Sequence, residues 1–179
     1  MSTVSGRVIV DIAIREVLAN NPGVQSGLVN HAFQRIADLA NGTADGQINK
    51  VYSKVETGIG ASTTTNYDLA GSLTDRDGAT LSFAEVTFIL LVNLSTTAAN
   101  VVNIGPGSSN GFGVLASNKG FWNDATDRNC AMADGEGMVL LWSRTGVPVT
   151  AGTGDILSVI TQSATSANTW LIMIGGRNA

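Results

Sequence analysis

The sequence predicts a mainly β protein: a jelly-roll-like antiparallel β-sandwich with a short N-terminal arm containing one amphipathic helix. Three observations predict it. Short apolar stretches of strand length recur after residue 50, separated by Gly, Asn, Asp and Thr, the texture of strands joined by turns. No helical periodicity of useful length interrupts them, which argues against βαβ units. Glycine and charge are also split unevenly: five glycines precede residue 57 and 16 follow it, while the first 56 residues hold ten of the 24 charged side chains. The 179-residue chain therefore divides near residue 50, into an arm over 1–50 and a β-sandwich domain over 51–179.

In the arm, Ser26 reads as an N-cap. Leu28, Val29, Ala32, Phe33, Ile36, Leu39 and Ala40 follow at three- and four-residue intervals, so an amphipathic helix is expected over about 27–40, ending at Asn41-Gly42. Residues 8–18 admit two readings. Val8, Val10, Ile12 and Ile14 form one face of a strand, whereas Val10, Ile14, Val17 and Leu18 form one stripe of a helix. Asn20-Asn21-Pro22-Gly23 breaks either one. Two short elements with little polar cover need a surface to dock on.

In the β domain, strands are expected near 51–57, 65–70, 79–84, 86–94, 100–104, 112–116, 137–143, 155–162 and 169–175. Eight or nine such strands suit a jelly roll, in which two sheets protect each other's edges. Along 86–94, Val86, Phe88, Leu90, Val92 and Leu94 are expected to face the core, with Thr87, Ile89, Leu91 and Asn93 on the other side. That other side is still half apolar. The same doubling occurs in Met138, Leu140 and Trp142 against Val139 and Leu141, and in Trp170, Ile172 and Ile174 against Leu171 and Met173. A solitary antiparallel sandwich turns a polar face outward on each sheet. Three strands apolar on both faces imply a sheet covered a second time, and the plainest cover is another copy of the chain.

Composition removes several functional classes. Ten Lys plus Arg against 14 Asp plus Glu give a net charge of −4, unsuited to general nucleic-acid binding. A single cysteine, Cys130, leaves no internal disulfide framework, and a single histidine, His31, leaves no chemistry that needs two imidazoles. The polar start and the interruptions at Asp11 and Arg15 do not read as a signal peptide, and no apolar run approaches the ~18 residues of a membrane helix. Synthesis in the cytosol is the expectation, with no membrane partner.

Motifs that could carry chemistry resolve into turns. Asp75-Arg76-Asp77-Gly78 suggests calcium, but the twelfth position of such a loop would be Val86, so an Asp-Gly turn between strands is expected. Asp124, Asp127, Asp134 and Glu136 surround Cys130 in what reads as a solvated loop. Gly58-Ile59-Gly60 and Gly105-Pro106-Gly107 complete no phosphate-binding pattern. His31 lies on the arm, far from any nucleophile elbow, and Cys130 has no histidine nearby in sequence. Phe121 and Trp122 could form a small sugar platform, although packing beneath a loop is the commoner use of such a pair. No enzyme, cofactor or metal site is expected.

Several stretches, taken together, resemble a known group. They include Val51-Tyr52-Ser53, Tyr67-Asp68-Leu69-Ala70-Gly71-Ser72-Leu73-Thr74-Asp75, and Gly78 through Val86 with Leu81-Ser82-Phe83 at its centre. Leu91-Val92-Asn93-Leu94-Ser95-Thr96-Thr97, Val102-Asn103-Ile104-Gly105, Val149 through Leu157 and Trp170 through Arg177 complete the set. In this order they resemble small structural proteins of tailed-bacteriophage virions, with a β-sandwich domain, found as head decoration or fibre-like components. The resemblance covers about 51–177 and not the arm, and its motifs are turn and strand signatures rather than catalytic ones. It implies a capsid decoration (cement) protein on the virion surface. The arm would bind the major capsid protein, and the β domain would form a homo-oligomer, commonly a trimer in such proteins. The alternative is a receptor- or glycan-binding module of a head or tail fibre, using the long loop from Asn118 to Asp134.

Overall fold

From Lys50 onward the chain passes back and forth between two antiparallel sheets, as the spacing of its apolar stretches requires. The computed structural model describes residues 3–17, 28–114, 120–122, 131–162 and 167–178. The arm contributes β1 (Gly6–Val17), β2 (Leu28–Asn41) and the two-residue β3 (Gln47–Ile48). The domain contributes β4 (Lys50–Ile59), β5 (Thr64–Asp68), β6 (Leu73–Thr74), β7 (Thr80–Leu81), β8 (Glu85–Asn93) and β9 (Val102–Pro106). It continues with β10 (Ala131–Ala133), β11 (Met138–Pro148), β12 (Ile156–Thr161) and β13 (Asn168–Arg177). One sheet runs β11-β8-β13-β4 and the other β10-β9-β12-β5; β6 and β7 form a small hairpin of their own. Every pairing within the two large sheets is antiparallel.

The two sheets enclose one core. Tyr52, Ile89, Leu91, Trp170, Ile172 and Ile174 meet Tyr67, Val102, Ile104, Leu157 and Val159 across the gap. Phe112 and Trp122 close the same core; Trp122 donates its indole N–H to the Phe112 carbonyl at 2.9 Å. A strand over 112–116 does not form among the described residues. Phe112 sits in a turn, and only a bridge between Val114 and Trp122 is made.

The faces of β8 are the reverse of the expectation for most of its length. Ile89 and Leu91 are fully buried in the core, with Asn93 1% exposed on the same side, while Phe88 points outward. A β-bulge causes the switch. Gly175 opposes Phe88 and Gly176 opposes Val86, leaving Thr87 as the extra residue, so Val86 and Ile89 both reach the core. Asn93 is tolerated inside because its polar atoms are occupied: its amide donates to the carbonyls of Asn100 (2.5 Å) and Ala133 (3.0 Å), and its Oδ1 accepts from Ser95 N–H (3.0 Å). Pattern alone ranked the two faces by hydrophobicity, but a satisfied asparagine and a bulge outweigh that ranking.

The arm corrects a second expectation, since the described residues contain no helix. Residues 28–41 are a strand, paired antiparallel with β1 from Gly6↔Leu39 to Val17↔Leu28 without a break. The open question over 8–18 is thereby resolved as strand through Val17, with Leu18 outside the described residues. Ser26 and the Asn20–Gly23 breaker also lie outside them. In this register Ile12 faces Phe33 and Ile9 faces Ile36, so the spacing that suggested a helical stripe is divided between two sheet faces. Val8, Val10, Ile12 and Ile14 are β-branched at every second position, which favours strand. Once β1 is extended, pairing offers β2 backbone partners that outweigh the modest helix propensity of Ala, Leu and Gln.

Candidate interaction surface

The outward face of the β11-β8-β13-β4 sheet is a grid fixed by register. Nearest the arm lies the row Val51, Gly175, Phe88 and Trp142. The middle row is Ser53, Met173, Leu90 and Leu140; the far row is Val55, Leu171, Val92 and Met138. None of these positions carries a charge, and Ser53 is the one polar side chain. For an outer sheet face this is the opposite of the normal pattern.

The arm covers the near row. Leu39 and Ile48, 3% and 2% exposed, pack with Phe88, and Val4, Val8, Val51, Trp142 and Met173 surround them. Phe88 fits there because Gly175 has no side chain; a Cβ at Gly175 would collide with the Cε1 edge of the Phe88 ring. Beyond this contact a cleft of about 620 Å³ lies between β1 and the sheet, lined by Val8, Val10 and Ile12 on one side and Leu90, Leu140 and Met138 on the other. The far row ends in the open: Val55 is 50% and Met138 66% exposed.

The hairpin is itself two-faced. Val8, Val10, Ile12 and Ile14 share a face with Ala37, Arg35 and Phe33 across the ladder. Ile12, Ile14 and Phe33 are each about half exposed. The reverse face is more polar, holding an ion pair between Arg7 and Asp38 (2.5 Å) and a hydrogen bond from Gln34 to Asp11 (3.3 Å). It also carries the exposed pair Ile9 and Ile36.

A polar cleft of about 460 Å³ opens where β4 and β5 lie side by side. At its floor Tyr67 Oη accepts from Trp170 Nε1 (3.2 Å) and donates to Glu56 Oε1 (3.4 Å), which also pairs with Lys54 Nζ at 2.9 Å. Burial pushes the Tyr67 phenol well above its ordinary range, and that of Tyr52 upward too. Such phenols are poor acids and hold their protons, so they act here as hydrogen-bonding supports for the sheet edges. Sequence reading missed this group, since its members come from three distant strands.

The remaining motifs are turns or packing positions. Asp75 Oδ1 accepts from the N–H groups of Asp77 (2.9 Å) and Ala79 (2.8 Å), turning the β6–β7 hairpin as an Asp-Gly turn should. A Cβ on Gly107 would meet Ile156 Cγ2 at 2.5 Å, so that glycine permits close packing. Among the described residues no group of three or more His, Cys, Asp or Glu comes together. Cys130, Asp124, Asp127 and most of the 118–134 loop lie outside the described residues. His31 sits on β2 opposite Ile14. Trp122, 3% exposed, stands edge-on to Phe121 within the core, and offers no platform to a sugar.

The chain matches no family model and no curated protein sequence. Among solved structures it aligns with an unassembled pentamer of Washington University polyomavirus VP1, over 98% of this chain and 97% of that one, at 8% identity and a TM-score of 0.13. At that score the alignment assigns this chain neither fold nor function.

Proposed function

We propose that the protein is a bacteriophage virion structural component, a capsid decoration protein. Its β domain forms the oligomeric body on the head surface, and residues 1–50 hold it to the major capsid protein. The sandwich is read as a jelly roll, supported by strand orders β4-β13-β8-β11 and β5-β12-β9-β10, in which the first and last strands become neighbours. The observation that carries the reading is the uncharged outer face, a surface that a solitary soluble domain does not leave bare. The resemblance of residues 51–177 to virion structural proteins points the same way. A decoration protein reinforces a shell through buried contact area rather than chemistry, which suits a chain whose buried polar groups serve as structural supports.

Copy number per purified virion, measured by quantitative mass spectrometry against the major capsid protein, tests this. Hundreds of copies are expected. A handful would move the protein to a fibre, and absence from the particle would refute the reading.

A further inference from the structure

We infer that the polar cleft between β4 and β5 is a binding site for a neutral saccharide. The inference goes beyond the proposed function and rests on neither the arm nor a virion setting.

β4 and β5 are the last strands of their two sheets, and the cleft opens between them. Tyr52, Lys54 and Glu56 alternate along β4 and so share one face, while Asn66 and Tyr67 line the cleft from β5. Both bonds to Glu56 fall on Oε1, from Tyr67 Oη and from Lys54 Nζ. Its Oε2 has no partner among the described residues, and although the side chain is only 12% exposed, that oxygen is not sealed from solvent. Tyr52 Oη is likewise open and without a partner among the described residues. Burial holds its proton in place, so this phenol can both donate and accept. Ser158 Oγ donates to Asn66 Oδ1 at 2.7 Å, which occupies that acceptor and leaves the Asn66 amide as a donor.

The cleft thus presents a carboxylate oxygen beside an ammonium group, with a hydroxyl and an amide on the same lining. Adjacent sugar hydroxyls each donate and accept, so a vicinal pair satisfies an acceptor and a donor set side by side, through charge-assisted bonds. Other ligand classes fit poorly. The charges of Lys54 and Glu56 cancel and Asp75 adds a negative one, which disfavours phosphates and acidic sugars. The Tyr52 and Tyr67 rings meet edge to face at 5.9 Å and are both buried, so no flat ring face is open to a nucleobase. A peptide added as a strand needs pockets for alternate side chains, and Leu73 is the one aliphatic residue on the lining. The volume of about 460 Å³ lies within the ~300–1,000 Å³ usual for ligand sites.

Saturation-transfer NMR on the full-length chain, against a panel of neutral and acidic di- and trisaccharides, tests this. Transfer to at least one neutral saccharide is expected, with a Kd of about 1 mM. Amide shifts on titration should cluster at residues 52–56 and 65–67. Glu56→Gln should weaken binding ~10-fold or more, and Tyr52→Phe about 5-fold. Both substitutions keep their packing, since an amide oxygen still accepts from Tyr67 and the Tyr52 ring is retained. Lys54→Ala, at a half-exposed position, should weaken binding while leaving the urea midpoint unchanged, which separates lost contact from lost fold. No transfer to any neutral saccharide would overturn the inference. Binding confined to acidic sugars would do so too, as would an affinity that all three substitutions leave unchanged. An extended peptide that shifts the same amides, with no saccharide doing so, would give the cleft to strand addition instead.

Discussion

Arg177, near the end of the last sandwich strand, donates from Nη2 to the carboxylate of Asp45 at 3.0 Å, in the turn from which the arm departs. The same guanidinium, 6% exposed, also binds Glu85 (2.6 Å from Nε) and the carbonyls of Ala44 (2.6 Å) and Thr145 (2.7 Å). One side chain therefore ties the arm's base to β8, β11 and β13. The apolar contact of Leu39 with Phe88 lies in the same region, so polar and apolar contacts together fix where the hairpin leaves the body.

Arg177→Met should destabilise the folded chain by about 2–3 kcal/mol, read from urea unfolding. This is below the usual cost of breaking a buried pair because Asp45 and, in part, Glu85 remain hydrated. Arg177→Lys should recover less than half, since a point charge cannot serve four acceptors in fixed directions. A fully restored lysine variant would show that charge alone matters.

Gly175→Ala should displace the Phe88 ring and cost about 1–3 kcal/mol through overpacking. Amide exchange in Gly6–Val17 should accelerate with it, because Leu39 and Ile48 lose their seat. Unchanged exchange in β1 would mean that the arm is held without Phe88.

Thr87→Val should leave stability unchanged or raise it by up to about 1 kcal/mol. The Thr87 hydroxyl is buried at the bulge with no hydrogen-bond partner among the described residues, and removing an unsatisfied polar atom relieves a desolvation cost. A loss above 1 kcal/mol in the urea midpoint analysis would show that the hydroxyl is satisfied in solution.

Alkaline pH should destabilise the protein through Tyr67 and Tyr52. Both phenols are raised above the ordinary value of 10.0, chiefly by burial. Below about pH 10 both states hold the protons and this contribution is complete. Above it the unfolded chain releases protons that the folded chain retains, so stability falls as pH rises. Tyr67→Phe should flatten the decline between pH 10 and 11 by up to about 1.4 kcal/mol per pH unit. Equal slopes for the two proteins would mean that the folded phenol ionises freely.

Strand positions in the β domain were largely legible, since β4, β8, β9, β11, β12 and β13 all fall on alternating or continuous apolar stretches, while β5 shows only its β-branched threonines and Tyr67. β10 was not, because Ala131–Ala133 has too little side chain to show a period. The doubly apolar sheet was legible as well, because 86–94, 137–143 and 169–174 each carry apolar side chains on both faces. The identity of its two faces was not, because the bulge at Thr87 exists only through pairing with Gly175 and Gly176. Nor could the sequence show Tyr67, Glu56 and Trp170 in one cluster.

By itself, then, the sequence determined that the described residues after 50 are built mainly of short strands and that one sheet is apolar on both sides. Side-chain period and turn chemistry are local properties, readable within a few residues. Tertiary structure alone decided that residues 28–41 pair with β1 instead of coiling, and that the arm lies on Phe88. Those choices depend on partners far along the chain, where backbone pairing and burial outweigh local preferences worth only tenths of a kcal/mol per residue.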